Sequence, residues 1–221
     1  MEYKISTVMF DGVLAEREIP FFRGAIIELS GYNPLYHNHT EDGRCMMHYP
    51  HIQYKILDGK PSIVGIGDGA DSLESLFELN SQFQIQIGRC FRDYSVLSKN
   101  TYYFAPSESI DEKRRYLIDG WLPFNQSNYT EYNETSSLSE RIMQLDSVLK
   151  GNILSLYKDF NVFINNQITG NIVNLHEHKA SFKRVKMISY DAIIETNVAL
   201  PEHCGIGKGV SHGFGTIKAI P

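Results

Sequence analysis

Alternating apolar and polar residues in the first sixty-odd positions predict strands, with one helix between them. Glu2–Phe10 has the pattern of a strand. Pro20 opens a helix whose apolar residues recur at helical spacing, and Gly31 is placed to end it. Residues 51–66 alternate on both sides of Asp58-Gly59, a dipeptide typical of tight hairpins. The pattern therefore predicts a strand, a helix and a β-hairpin in succession.

A second helix and more strand follow the hairpin. Asp71 or Ser72 can cap a short amphipathic helix, and Phe83–Ile87 alternates strictly. We expect the chain to stay extended from there to about Phe104. The predicted order β-α-β-β-α-β is that of a ferredoxin-like unit, which would close near residue 105.

The second half contains one strong helical stripe. Ser137 and Glu140 have capping-box spacing, and the apolar positions that follow share one helical face. These positions are Leu138, Ile142, Leu145, Leu149 and Leu156. Residues 160–175 and 181–200 are rich in β-formers, and we expect a hairpin around the polar residues His176–Lys179.

Together these elements predict an α+β protein of two tandem ferredoxin-like (RRM-like) domains. We place the first at residues 1–107 and the second at 108–221. The helix, the hairpin and a final strand make the second domain a partial or degenerate copy of the first, because its opening strand is hard to recognise. A C-terminal Gly-rich loop completes it.

Composition narrows the class of protein. Three widely spaced cysteines in 221 residues favour free thiols in a reducing cytoplasm. No apolar run has transmembrane length, and none follows the first residues as in a secretory signal. We therefore expect a cytoplasmic protein without a membrane partner. Residues 125–135 contain three glycosylation sequons, which we interpret as a polar loop.

The charge is uneven along the chain. A net charge of −5 argues against a strongly basic nucleic-acid binder. From Lys179 onward, however, the sequence contains six Lys or Arg residues and three Asp or Glu residues. The basic run Lys113–Arg115 sits among acidic residues and is interpreted as a solvated face. A local basic surface near the C-terminus remains compatible with RNA.

The most unusual stretch is Gly205–Gly215, with five glycines in eleven residues. Glycine adopts positive φ and lets a ligand approach bare backbone N–H groups. Nucleotide-binding glycine loops precede a helix, but only the short stretch Thr216–Pro221 follows here. Walker and Rossmann nucleotide sites are therefore excluded, because this stretch is too short to form the helix that they require. A ligand-binding loop on the last strand and a mobile tight turn remain as alternatives.

Four of the eight histidines lie between residues 37 and 51. His37 and His39 flank one residue in a stretch without periodicity, with Cys45, His48 and His51 nearby. Three hypotheses stay open: hydrogen bonding within a loop, a metal site, or acid–base catalysis without metal. Two imidazoles with ordinary pKa values near ~6.5 can act as one base and one acid at neutral pH. Cleavage of RNA by its own 2′-hydroxyl needs that pair.

The combination resembles a known family. A ferredoxin-like first half, His37-Asn38-His39 just after its first helix and a C-terminal Gly-rich loop ending in Gly213-Phe214-Gly215 resemble the CRISPR-associated repeat-processing endoribonucleases. The stretch from Phe22 through His39 to Lys55 looks most like the branch with paired catalytic histidines. The resemblance spans nearly the whole chain.

The resemblance implies an endonuclease that cuts the repeats of precursor CRISPR RNA with no metal or cofactor. Attack by the 2′-hydroxyl would leave a 2′,3′-cyclic phosphate and a 5′-hydroxyl. His37 and His39 match the catalytic pair, with base and acid not assigned. Tyr49, Tyr54 and Lys55 are the nearest matches to the supporting Tyr or Lys of relatives.

The same resemblance implies that the Gly-rich loop lies near the RNA and shapes a groove between the two domains. Basic side chains that can contribute to this groove also include Arg89 and Arg92. The candidate RNA-binding residues are Arg44, Lys183, Arg184, Lys186, Gly205, Gly207, Lys208, Gly209, Ser211, His212, Gly213, Phe214 and Gly215.

Three classes of function remain. The first is the endoribonuclease, whose partner would be CRISPR repeat RNA, with a homodimer and a CRISPR effector complex left open. The second is a non-catalytic RNA-binding module of the same fold. The third is a metal-binding His loop in a protein unrelated to RNA.

Overall fold

A computed structural model describes residues 2–37, 49–109, 112–164 and 166–220. The described chain divides into two compact units. The first comprises the residues up to Phe104 together with Ser211–Gly213, and the second comprises Ala105–Val210 and the residues from Phe214 onward. In the described residues, no helix is long and apolar enough to span a membrane.

The described residues of the first unit form five strands and three helices. In chain order they are β1 (Tyr3–Asp11), α1 (Ile19–Leu29), α2 (Pro34–His37), β2 (Ile52–Leu57), β3 (Lys60–Ile66), α3 (Asp68–Leu79), β4 (Gln82–Ile87) and β5 (Cys90–Phe104). A 3₁₀ turn, Glu16–Glu18, leads into α1. The strands form one antiparallel sheet in the order β2-β3-β1-β5-β4.

The core of this unit lies between α1, α3 and one face of the sheet. Phe10 of β1 is central, with its ring centroid 6.0 Å from that of Phe22 and 4.8 Å from that of Phe77. All three rings are fully buried. The order β2-β3-β1-β5 is that of a ferredoxin-like sheet, so the predicted fold of the first half is confirmed, with β4 added at the edge.

An ion pair stabilises the N-terminal end of α1. Arg92 of β5 lies 2.6 Å from Glu18, the residue before the helix. The Arg92 guanidinium lowers the pKa of the Glu18 carboxyl to about 2, and the Ala15 N–H adds to this effect. The pair therefore ties the start of α1 to the sheet.

Two local predictions in the first unit are wrong. The stretch from Phe83 to Phe104 is not continuously extended, because a turn at Gly88-Arg89 folds it into the hairpin β4–β5. Gly88 takes a φ of 63°, which allows this turn. Helix α3 begins at Asp68 after Gly67, so Asp71 and Ser72 lie inside the helix and do not cap it.

In the second unit, the part of the chain that the structure describes forms four strands and two helices. In chain order they are β6 (Arg114–Trp121), α4 (Gln126–Glu134), α5 (Leu138–Asp159), β7 (Gly170–Phe182), β8 (Val185–Thr196) and β9 (Thr216–Ile220). The strands form a sheet in the order β7-β8-β6-β9.

This order repeats the ferredoxin-like arrangement with one helix missing. After β8, where a second crossover helix would be expected, the chain runs through residues 197–215 with only a 3₁₀ turn, Val210–His212. The Gly-rich stretch therefore occupies the place of a helix in the sequence. The prediction of two tandem ferredoxin-like domains with a degenerate second copy is confirmed.

Three predictions for the second half need correction. Residues 126–134 form helix α4, with the Asn125 side chain accepting a hydrogen bond from the Asn128 N–H, so the sequon stretch is not a polar loop. Such a cap satisfies a backbone donor that would otherwise have no partner within the helix. The hairpin turns at Lys183-Arg184, and residues 176–179 lie within β7.

The third correction concerns α5. Ser137 caps it as predicted. Leu145, Leu149 and Leu156 are buried, but Leu138 is 73% exposed and Ile142 is 43% exposed. The apolar stripe is therefore buried only from Leu145 onward.

Candidate functional site

Backbone hydrogen bonds at the end of α1 fix the start of the segment that leads to His37. Helix α1 ends with Gly31 at φ 66° and Tyr32 at φ 61°. The Gly31 N–H donates to the Glu28 carbonyl, and the Tyr32 N–H donates to the Ile27 carbonyl. This is the glycine-terminated helix end that the sequence predicted, and it reverses the chain into α2.

Two contacts hold His37, the last residue of α2. The Arg23 Nη2 atom donates to the His37 backbone carbonyl at 2.8 Å. The His37 Nε2 atom lies 3.3 Å from the Tyr32 carbonyl oxygen. Because a carbonyl only accepts, Nε2 carries the hydrogen in this contact. The imidazole is partly buried and is oriented by the segment that precedes it.

The residue before His37 is held as well. The Tyr54 hydroxyl of β2 donates to the Tyr36 carbonyl at 3.2 Å, and both side chains are almost fully buried. Burial raises the pKa of the Tyr54 hydroxyl far above its usual range. This hydroxyl therefore stays protonated and serves as a donor to the backbone.

The Gly-rich loop reaches the same two elements. A Cβ on Gly213 would lie 2.5 Å from Ile19 Cδ1 and 3.6 Å from the Tyr54 carbonyl oxygen. Ile19 and Arg23 are four residues apart on α1 and so share one face of that helix. Within the first unit, Gly213 and the Tyr36-His37 segment therefore both contact α1 and β2. The Ser211 Oγ and His212 Nδ1 atoms lie 3.0 Å apart within this part of the loop.

The other proposed catalytic residues are placed differently. Lys55 is fully buried and pairs with Ser62 across the sheet. Since neighbouring strand residues point to opposite faces, Lys55 projects away from the face that carries Tyr54. Tyr49 precedes β2 and is partly buried. His39 and Arg44 lie outside the described residues, as do Cys45 and His48 of the metal hypothesis.

The neck of the Gly-rich loop is a short antiparallel pairing in the second unit. The Ile206 N–H donates to the Gly215 carbonyl at 2.8 Å, and the Gly215 N–H donates to the Gly120 carbonyl at 3.1 Å. Gly215 has a φ of 66°, and a methyl group there would overlap the Ile206 carbonyl oxygen. Gly205 forms a backbone bridge with Thr216. The glycine pattern therefore reflects backbone packing at this neck.

A basic and aromatic cluster in the second unit is formed around Phe182 and Phe214. The ring of Phe182 lies edge to face with that of Phe214, with centroids 5.9 Å apart. The Nζ atoms of Lys183 and Lys208 lie 5.6 Å and 5.9 Å from the Phe182 centroid. Gly209 makes room for these rings, since a Cβ there would lie 2.9 Å from Phe214. The cluster combines cations with an aromatic face, as sites that bind single-stranded nucleic acid do.

The tip of the β7–β8 hairpin presents further charge. Lys183 and Arg184 form its two-residue turn with φ values of 50° and 67°. Asparagine and glycine are the residues that usually fill such turns, and each left-handed non-glycine residue costs about 1–2 kcal/mol. Both side chains are exposed. Lys186 pairs with Ser181 and so projects from the opposite face of the hairpin to Phe182.

Sequence reasoning missed two residues of these sites, Arg23 and Phe182. The signal for Arg23 was a cation placed four residues after Ile19 on the apolar face of α1. The signal for Phe182 was an aromatic residue beside the Lys-Arg pair. Neither could be assigned before the partners, His37 and Lys208, were placed in space.

Metal binding was the remaining alternative for the histidines. Within the described ranges, no group of three or more His, Cys, Asp or Glu side chains has the arrangement of a metal site. Outside the His37 segment, His178 of β7 pairs with Asp191 of β8, with Nε2 and Oδ2 2.6 Å apart.

Comparison with known proteins agrees with this architecture. The Cas6b N-terminal domain matches residues 1–101, and the Cas6b C-terminal domain matches residues 109–220. An uncharacterised protein of Methanocaldococcus jannaschii is 29% identical over 104 residues, which are 47% of this chain and 70% of that protein.

Solved structures show the same relationship. The crystal structure of a Cas6b protein superposes over the full length of both chains, with a TM-score of 0.87 and 25% identity. A second, described as a CRISPR RNA processing endoribonuclease Cas6b, also covers both chains fully, with a TM-score of 0.76 and 24% identity. The two domain matches together span nearly the whole sequence. The chain therefore belongs to the Cas6b family of CRISPR-associated proteins.

Proposed function

We propose that this protein is a metal-independent endoribonuclease that cleaves CRISPR repeat RNA in precursor transcripts. The observation that carries the proposal is the fixed position of His37. Its ring is held by the Tyr32 carbonyl, and its backbone carbonyl is held by Arg23 of α1, the helix that Gly213 also contacts. Membership of the Cas6b family supports the substrate class.

Cleavage of RNA by its 2′-hydroxyl requires two proton transfers. A base removes the proton of the 2′-hydroxyl, and an acid protonates the departing 5′ oxygen. The 2′ oxygen forms a bond to phosphorus while the bond from phosphorus to the 5′ oxygen breaks. The products are a 2′,3′-cyclic phosphate and a 5′-hydroxyl. His37 and His39 are the pair that we propose for these roles.

Tyr54 and Lys55 project from opposite faces of β2, and Tyr54 contacts the segment that carries His37. Both are fully buried, and Tyr54 contributes its hydroxyl to the Tyr36 carbonyl. We propose that Tyr54 stabilises the backbone next to His37. Tyr49 is partly buried, in contrast to Tyr54 and Lys55, and we propose it as the supporting candidate that meets the substrate.

RNA contact is proposed for the basic and aromatic cluster of the second unit. Phosphates would be met by the exposed side chains of Lys183, Arg184 and Lys208, while Phe182 and Phe214 offer ring surfaces for an unpaired base. Two left-handed cationic residues at one turn are costly to fold, and such backbone outliers often occur at functional sites. Lys186 would extend the basic surface on the other face.

The decisive experiment is a cleavage assay on repeat RNA in EDTA. We expect full activity with chelator present, a 2′,3′-cyclic phosphate on one product, and no cleavage when the scissile nucleotide is 2′-deoxy. Loss of activity in EDTA, or cleavage of the deoxy substrate, would refute the mechanism. Tight binding without any cleavage would identify the protein as a non-catalytic RNA-binding module.

Replacing Lys208 with glutamine is expected to weaken RNA binding. If Lys208 contacts one phosphate, the slope of log affinity against log salt should fall by about one. Lys158 to glutamine is the matched control, because this exposed lysine of the same unit lies on α5 and is not part of the basic and aromatic cluster. Fluorescence anisotropy at several salt concentrations measures both. An unchanged slope in the Lys208 variant would remove this residue from the interface.

A further inference from the structure

Arg23 occupies an unusual position for a cation on α1. It lies one helical turn after Ile19, which is 4% exposed, and next to Phe22, which is fully buried. Its Nη2 atom donates to the His37 carbonyl at 2.8 Å. The neighbouring peptide carbonyl, that of Tyr36, accepts a hydrogen bond from the buried Tyr54 hydroxyl. A long charged side chain is therefore directed inward, to the end of α2.

The contacts of Arg23 and Tyr54 fall on consecutive peptide groups. Tyr54 donates to the Tyr36 carbonyl and Arg23 donates to the His37 carbonyl. Two fixed carbonyls in succession define the direction in which the backbone of His37 runs. The His37 ring is separately held by the Tyr32 carbonyl. Backbone and ring of this residue are thus held by different partners.

We infer that Arg23 is a positioning residue for RNA cleavage, which acts by fixing the His37 backbone and not by binding the substrate. This inference rests on the proposed function. Side chains that fix the geometry of an acid or base are needed because a misplacement of about 1 Å can cost roughly 10²-fold in rate.

The test separates cleavage rate from RNA affinity. Arg23→Met removes the donor and keeps an apolar stem, Arg23→Lys retains a shorter donor, and Arg17→Met is the control. Arg17 is an exposed arginine in the 3₁₀ turn Glu16–Glu18, six residues before Arg23 in the chain. Single-turnover rates at saturating protein are compared with the dissociation constant of a 2′-deoxy repeat RNA.

For Arg23→Met we expect a rate loss of about 10- to 100-fold with unchanged affinity for the deoxy RNA. Arg23→Lys should recover part of the rate, and Arg17→Met should cut at the wild-type rate. If Arg23→Met cuts as fast as wild type, or if affinity falls while the saturating rate is kept, the positioning role is wrong. If Arg23→Met does not fold, Arg23→Lys is compared with wild type alone, and a wild-type saturating rate with weaker binding of the deoxy RNA would contradict the positioning role.

Failure of the proposed function gives a different result. In that case the wild-type protein itself leaves repeat RNA intact, and both inferences fall together. A wild type that cuts, with His37→Ala inactive and Arg23→Met fully active, removes only the role of Arg23.

Discussion

Replacing His37 with alanine is expected to slow cleavage of repeat RNA by about 10²–10⁴-fold, the range typical of one general acid or base. The reason is geometric. The Tyr32 carbonyl holds the imidazole and the Arg23 guanidinium holds the His37 backbone, so alanine keeps the backbone contact and removes the group that carries the proton. Single-turnover kinetics with a labelled repeat RNA measure the loss.

The matched control is His51→Ala. His51 is an exposed histidine just before β2 in the same unit, and it belongs to the metal hypothesis. We expect it to cut RNA at the wild-type rate. Binding of a 2′-deoxy RNA should be the same for both variants, because the role of His37 is chemical. If His51→Ala were as slow as His37→Ala, a shared site such as a bound metal would explain the histidines better.

Replacing Gly215 with alanine is expected to destabilise the protein by roughly 3–5 kcal/mol, at the upper end for single substitutions. The left-handed backbone alone accounts for about 1–2 kcal/mol. The larger part comes from the added methyl group, which would overlap the Ile206 carbonyl oxygen. To avoid it, the pairing between Ile206 and Gly215 must open. Denaturant-induced unfolding measures the change.

Gly88→Ala separates the two causes. Gly88 has a φ of 63°, close to the 66° of Gly215, but a Cβ there meets no atom within 4 Å. Its substitution should therefore cost only the backbone conformation, about 1–2 kcal/mol. Equal destabilisation of the two variants would show that crowding at the loop neck is unimportant. We also expect Gly215→Ala, and not Gly88→Ala, to slow RNA cleavage, because that neck carries the Gly-rich loop.

Much of the first unit could be predicted because its signals are local. The end of α1 at Gly31 and the hairpin turn at Asp58-Gly59 each follow from residues that are adjacent in sequence. Both predictions are confirmed. The errors arose where local signals conflict. The stretch of residues 125–135 is polar, and this composition favours a loop. The Asn125 cap and the packing of Tyr132 against Phe124 nevertheless stabilise a helix there.

The turn of the β7–β8 hairpin was misplaced for a related reason. His176–Lys179 is the more polar stretch, whereas Lys183-Arg184 contains no residue that favours positive φ. Pairing along the whole of β7 and β8 decided the position of the turn. Twelve paired positions outweigh the cost of two strained residues.

The sequence by itself determined the tandem α+β fold, the presence of a Gly-rich loop on the last strand, and the pair His37 and His39 as candidate acid and base. These conclusions depend on spacing and residue type, which are properties of the chain. The tertiary structure decided which side chains hold His37, that Tyr54 and Lys55 point to opposite faces of β2, and that Gly213 packs against Ile19. Such contacts join residues far apart in sequence, so they exist only once the sheet and helices have packed.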